Sequence, residues 1–247
     1  MRPGGAASMG AMSSPGGRRT TRRAVHETLR QKVIGLELAP GSALSENELA
    51  ASLGVSRTPV RESLLLLSEE GFVQVFPQVG SFVSRVDPQR VADAQFVREA
   101  VELASLDAVP DEIDDAALAD LRANLARQHE PGIDVEELFR LDEEFHRGLL
   151  GLSGHASAWT TVASAKAHLD RARRLGLHQT PPDEFADQHQ RILDALVGGD
   201  RAGARELLRT HLRAVFDDIE QVRERSPELF ASESGSVPVR RSIAVWT

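Results

Sequence analysis

Between Ser45 and Gly71 the chain starts and stops two helices in quick succession, and the residues that do so leave this segment little freedom in how it folds. Ser45 followed three residues later by Glu48 is a capping box, in which the hydroxyl accepts from a backbone N–H that the helix itself leaves unsatisfied. It opens ELAASLGV, and Gly54 stands where a helix end wants a residue at ease in the left-handed region. Ser56 caps the next helix, Pro59 falls in the first turn where its missing N–H costs nothing, and Val60, Leu64 and Leu67 form one apolar stripe up to Gly71. Upstream, Val25, Leu29, Val33, Ile34 and Leu36 recur near helical spacing between Thr21 and Leu38, and Ala39-Pro40-Gly41 halts the run. Downstream, FVQVF and GSFVSRV alternate apolar and polar residues on either side of Pro77-Gln78-Val79-Gly80, which reads as a β-hairpin.

Three short helices and a hairpin in this order predict a winged helix-turn-helix, with the third helix placed to enter a DNA major groove by its N-terminal end. Ser56, Arg57, Thr58 and Arg61 cluster at that end. Hydroxyls and backbone N–H groups there suit phosphates, and guanidinium forks suit phosphate or guanine O6/N7. The hairpin tip, Gln78 to Gly80, fits a minor groove, glycine permitting close approach of the backbone. The plain alternative, a well-capped surface helix with ordinary exposed charges, explains SRTPVRESL but not the order of elements around it. A formal net charge of −8 argues against nucleic acid if taken whole, because phosphate neutralisation dominates such binding. The average hides a division: residues 1–85 carry 10 Lys and Arg against 7 Asp and Glu, the remainder 19 against 30. Such asymmetry suggests a nucleic-acid module joined to something with another task.

Residues 1–17 are low in complexity and read as a disordered tail. The winged helix-turn-helix takes 18–86. From Asp87-Pro88 to 225 the periodicity is helical throughout, broken at Pro110, Glu130-Pro131-Gly132, Gly151 to Gly154, Thr180-Pro181-Pro182 and Gly198-Gly199-Asp200. About six helices fit between those breaks. Residues 226–247 read as a flexible tail. The fold class is therefore mainly α: three helices plus a β-hairpin, then an all-α helical-bundle ligand-binding domain. No cysteine is present, which removes disulfides and sulfur-rich zinc sites. No apolar run approaches the roughly 20 residues of a membrane span. The chain is expected in the cytoplasm.

A second constellation lies in the helical part. Asp142 and His146 stand four residues apart in EELFRLDEEFHRGLL, so both project from one helix face. His189 and His211 each sit among apolar residues at helical period. One carboxylate and three imidazoles suit Zn, Mn, Ni or Fe in the divalent state, with no thiolate to compete. Hydrogen-bonded core histidines and a simple i,i+4 pair explain the same residues without a metal. His26, His129, His155, His168 and His178 show no comparable pairing and read as surface residues.

SENELAASLGVSRTPVRESLLLLSEEGFV closely resembles the DNA-binding domain of the GntR superfamily, over residues from about 24 to 85. The resemblance implies DNA contacts from Ser45, Asn47, Ser56, Arg57, Thr58, Arg61, Gln78 and Gly80; Asn47 departs from the Arg common at its place. FVREAVE, LDEEFHRGLLGLSG and DQHQRILDALVGGDRAGARELLRTHL resemble the FCD ligand-binding domain of the fatty-acid-regulator branch, over about 91–222. That implies one divalent metal per chain on Asp142, His146, His189 and His211, with a carboxylate effector clamped by Arg98 or, more loosely matched, Arg171. Gln188 replaces the usual Glu before the third ligand, and Gly154-His155 stands where an Asn commonly follows the Gly. The function expected is a homodimeric transcription regulator, a repressor rather than an enzyme, on an inverted-repeat double-stranded DNA operator, released by a small carboxylate metabolite. A metal-dependent hydrolase or isomerase using the same four residues, or a regulator answering to the metal itself, are the rival readings. The first lacks a P-loop, nucleophile elbow or dinucleotide fingerprint to support it.

Overall fold

A computed structural model describes residues 15–176 and 182–231, and divides the chain into two compact units between Ser84 and Arg85. In the first unit α1 (Pro15–Ile34) packs on α3 (Arg57–Glu69). Val25, Leu29 and Val33, four residues apart, are buried on α1, and Val60, Leu64 and Leu67 are buried on α3. Between them α2 (Glu46–Ser52) is capped by Ser45, whose hydroxyl accepts from the N–H of Glu48 at 3.3 Å. Strands β2 (Val73–Phe76) and β3 (Gly80–Val83) form the hairpin, in register from Val73 opposite Val83 to Phe76 opposite Gly80.

Four details differ from the sequence reading. Helix α1 begins at Pro15, so residues 15–17 of the expected disordered tail are helical; proline at the first helical position gives up no hydrogen bond. The helix ends at Ile34 rather than near Leu38, because Leu36 turns into the left-handed region at φ 64° and the N–H of Leu38 folds back onto the carbonyl of Lys32. Ser56 holds the N-cap position of α3 but its hydroxyl makes no cap bond. A two-residue strand, β1 (Ala43–Leu44), adds to the hairpin to give the order β1-β3-β2.

In the second unit seven α-helices follow one another among the described residues: α4 (Pro88–Asp107), α5 (Asp115–Gln128), α6 (Val135–Leu152), α7 (Trp159–Ala165), α8 (Ala167–Gly176), α9 (Pro182–Val197) and α10 (Arg201–Arg225). The count exceeds the expected six because the stretch after Gly154 breaks again at Lys166. Aspartates start four of them, Asp87, Asp114, Asp134 and Asp200 each accepting from a backbone N–H of the first turn. One apolar cluster gathers Leu103, Leu121, Phe145, Ile192 and Leu208, and another gathers Val91, Leu169, Val215 and Ile219. The same bundle also buries Arg98, Glu102, Gln128, Asp142, His146, His189 and His211. Among the described residues no helix is long and apolar enough to cross a membrane.

The first residues of the flexible tail expected from 226 are ordered. Pro227–Leu229 make a 3-10 turn, Val86 donates to the carbonyl of Leu229 at 2.9 Å and receives the N–H of Ala231 at 2.8 Å, and Phe230 is buried in the second cluster. Residues 232–247 lie outside the described residues, as do 1–14. Deleting a buried phenyl ring costs about 3–5 kcal/mol. Phe230→Ala should therefore lower the denaturant midpoint of the second unit by that order, and a change under about 0.5 kcal/mol would return this segment to the status of a loose tail.

Candidate metal centre and nucleic-acid interface

Helix α6 supplies Asp142 and His146, α9 supplies His189 and α10 supplies His211; all four are buried, each offering one donor atom within 4.8 Å of the others. The three imidazoles are oriented from behind. Nδ1 of His146 lies 2.6 Å from Oε2 of Glu102, Nδ1 of His189 lies 2.8 Å from Oε1 of Gln128, and Nδ1 of His211 lies 2.7 Å from Oε1 of Gln188. Gln128 is itself fixed, its amide nitrogen donating to Oδ1 of Asn124 at 2.7 Å. Each Nδ1 thus faces an oxygen acceptor and carries the hydrogen, which leaves a lone pair on each Nε2 of the neutral rings.

Those lone pairs converge. Nε2 of His211 is 3.2 Å from Nε2 of His146 and 3.1 Å from Nε2 of His189, while Oδ1 of Asp142 lies 3.7 and 3.6 Å from His146 and His189. With both Nδ1 hydrogens turned outward, no hydrogen stands between paired Nε2 atoms, and lone pairs at this distance repel unless a cation lies among them. Ligands about 2.1 Å from a common centre are separated by about 3.0 Å in octahedral and 3.4 Å in tetrahedral geometry. The donor set and its spacing fit a divalent ion.

Charge around the cluster is arranged to keep it in this state. Burial pushes the Asp142 carboxyl up, but the Arg173 guanidinium and His146 more than reverse this and hold it well below the usual range. Glu102 is drawn down to about 2: burial opposes ionisation, yet His146 and Arg98 outweigh it. Burial, reinforced by neighbouring His146, depresses His189 to about 3, and burial with His189 beside it lowers His211 well below its ordinary value.

The structure brings all four expected metal residues together and ties Arg98 to His146 through Glu102. Arg98 is 2% exposed, its Nε donates to Oε1 of Glu102 at 2.8 Å, and its Nη2 has no hydrogen-bond partner among the described residues. Arg171 is also buried, desolvation drawing its guanidinium down to about 10. The α8 arginine seen on the cluster is Arg173, which sequence reasoning passed over: its Nη1 lies 3.0 Å from Oδ2 of Asp142, under the rings of Phe139 and Phe185. Glu102, four residues after Arg98, was missed too, although its spacing from that arginine was visible. Two histidines read as plain surface residues have partners, His26 with Glu70 and His129 with Asp187; His178 lies outside the described residues.

In the first unit Asn47, Ser56, Arg57, Thr58, Arg61, Gln78 and Gly80 are exposed, while Ser45 is half-buried and spent on its cap. Gln78 takes φ 64° at the hairpin tip, presenting a polar side chain from a left-handed turn. The unforeseen residue is Glu46. Its Oε2 accepts from Nη2 of Arg57 at 3.0 Å and its Oε1 from Nε of Arg61 at 2.9 Å, bonds that lower its pKa and hold both arginines in one place.

Residues 21–83 match the model of the bacterial regulatory proteins of the gntR family, and residues 93–214 match the FCD domain. The chain is 66% identical to an HTH-type transcriptional regulator in an unstable DNA locus of Streptomyces ambofaciens, over 92% of this chain and 97% of that one. It is 31% identical to the HTH-type transcriptional repressor RspR of Escherichia coli K12, over 85% and 93%. Among solved structures it resembles a GntR transcriptional regulator from a Rhodococcus species, at TM-score 0.61 and 25% identity over 83% of this chain and 98% of that one. The fold also matches E. coli McbR/YncC, at TM-score 0.65 and 22% identity over 85% and 99%.

Histidines held neutral in the fold, but free to protonate once unfolded, bind fewer protons folded than unfolded between about pH 6.5 and their depressed folded values. Stability of the metal-free protein is therefore complete above that window and falls as pH falls through it, toward a limit of about 1.4 kcal/mol per pH unit for each of His189 and His211. Denaturant titrations of metal-stripped protein at pH 7.5 and 5.5 should show the loss, and His189→Gln should reduce it by about half. A pH-independent midpoint would mean that the histidines titrate alike in the folded and unfolded chain.

Proposed function

The chain is a DNA-binding transcription regulator that belongs to the gntR family and carries an FCD domain, and from that premise we propose that a small carboxylate bound beside a divalent metal sets its affinity for operator DNA. The convergence of three Nε2 lone pairs and Oδ1 of Asp142 on one point, with every Nδ1 already committed, carries the proposal. His146, His189, His211 and Asp142 would hold one Zn, Mn, Ni or Fe ion per chain. The ion supplies a positive charge with coordination positions left for a carboxylate or hydroxycarboxylate. Arg98 supplies the second grip. Its Nη2 is a buried donor with no partner among the described residues, which is costly until an acceptor arrives. Through Glu102 the same side chain is tied to His146, so the arginine and one metal ligand are held by one carboxylate.

On DNA, the N-terminal end of α3 would read the major groove with Ser56, Arg57, Thr58 and Arg61, and the hairpin tip at Gln78 to Gly80 would follow the minor groove. A cytoplasmic homodimer on an inverted repeat matches a two-fold protein to a two-fold site. The E. coli relative is named as a repressor, which supports repression relieved by the metabolite. The acid need only favour one arrangement of the dimer by about 1–3 kcal/mol to weaken operator binding 5- to 150-fold.

Elemental analysis should find one divalent ion per wild-type chain and none in Asp142→Ala/His189→Ala. A thermal-shift screen with small carboxylic acids should then stabilise wild type and leave that double variant unmoved, while Arg98→Lys keeps the metal and loses most of the shift. Wild type that stays metal-free after reconstitution, or an acid response that survives in Arg98→Lys, overturns the metal or the clamp respectively.

A further inference from the structure

Helix α4 keeps one side buried along its length, and the middle of that side is polar. Gln95, Arg98 and Glu102 fall at i, i+3 and i+7, so they form one row, its members about 4.5 and 6 Å apart along the helix axis. Each is buried, at 1%, 2% and 1% exposure respectively. Hydrogen bonding falls away along the row. Glu102 uses both oxygens, Oε1 on Arg98 and Oε2 on His146. Among the described residues Arg98 leaves Nη2 without a partner, and Gln95 leaves both its amide oxygen and its amide nitrogen without one. Gln95 also borders the groove between α4 and α10, but at 1% exposure its amide is closed to solvent there.

We propose that Gln95 is a specificity-determining residue of the effector site, reading a hydroxyl that the effector carries about one helical turn away from the carboxylate gripped by Arg98. The inference rests on the effector reading above and deepens it by naming the class of acid. Side chains at i and i+3 are near enough to bond each other. Here an amide oxygen and a guanidinium donor share that spacing and remain unbonded, so both are left for a third group.

The chemistry of an amide selects that group. With its oxygen and its nitrogen both unmet, Gln95 needs a partner that donates and accepts at once. A second carboxylate only accepts, and would set its charge against the amide oxygen. An ammonium only donates, and a methyl does neither. A hydroxyl does both. An acid that lacks it leaves the buried amide unsatisfied, whereas one that carries it removes that penalty, and the difference is the discrimination. The offset between Arg98 and Gln95 is covered by about three or four single bonds, which places the hydroxyl on the third or fourth carbon of the acid, counting from the carboxyl.

Titration calorimetry on the full chain, reconstituted with zinc, compares butyrate with 3-hydroxybutyrate, 4-hydroxybutyrate and succinate. One of the hydroxy acids should bind wild type at least about tenfold more tightly than butyrate does, with succinate no tighter than butyrate. Gln95→Met and Gln95→Leu, which keep an apolar side chain of similar size and remove both polar atoms, should bind butyrate and that hydroxy acid alike. A purely structural glutamine would weaken both acids together and leave their ratio unchanged. If wild type binds butyrate and the hydroxy acids within about twofold of one another while Arg98→Lys weakens all of them, the clamp stands and the role of Gln95 is overturned. A tenfold preference that survives in both Gln95 variants overturns it equally. No binding of any of the acids to wild type removes the effector site itself, and this reading with it.

Discussion

Three imidazole nitrogens and one carboxylate oxygen aimed at a single point are the constraint around which the C-terminal unit is organised. Five helices meet there: α4 with Glu102, α5 with Gln128, α6 with Asp142 and His146, α9 with His189 and Gln188, and α10 with His211. An apolar core could have joined these helices at lower risk, since polar groups buried without full satisfaction weaken a fold. Each imidazole is bonded outward through its Nδ1, while the Nε2 atoms crowd the convergence point. The asymmetry gathers the donor atoms at one spot, and an ion held there would tie its binding to the relative placement of the five helices.

The DNA-reading unit shows a different solution to holding charged side chains. Arg57 and Arg61 are exposed and would otherwise sample many rotamers, each of which has to be given up on binding. A single carboxylate, Glu46, bonds both from the start of the neighbouring α2. It lowers the positive charge of the surface and fixes the direction of the two guanidinium groups. A partner competing for those arginines meets them already placed.

Local signals were legible and long-range ones were not. The capping serine at 45, the apolar stripes of α1 and α3, and the alternation in β2 and β3 are properties of a few consecutive residues, so the sequence displays them. Asp142 and His146 share a face because of helical spacing alone, and that too could be read. Which arginine of α8 reaches Asp142 depends on the rotation of that helix against α6, which spacing within α8 does not specify; Arg173 rather than Arg171 is seen on it. β1 is two residues long and exists only because β3 offers it an edge. Phe230 lies in a segment without periodicity, and its burial comes from a pairing with Val86 far back in the chain. Glu46 looks like any acidic residue in a first helical turn until α3 is set beside it.

Helical periodicity gives α4 two distinct faces, one buried and one exposed. Arg98 and Glu102 are buried on the side of the Asp142–histidine cluster, while Phe96, Ala100 and Ala104 are exposed. Only four residues separate the end of β3, the last strand of the DNA-reading unit, from the start of α4. On the functional reading given above, an acid gripped by Arg98 bears on the inner face of this helix. A helix of 20 residues is stiff over its length of about 30 Å, so a tilt or slide imposed on one face is imposed on the other. The buried side chains nearest the cluster and the covalent link to the DNA-reading unit thus fall on one helix, so a ligand gripped there would act on the element that carries the link.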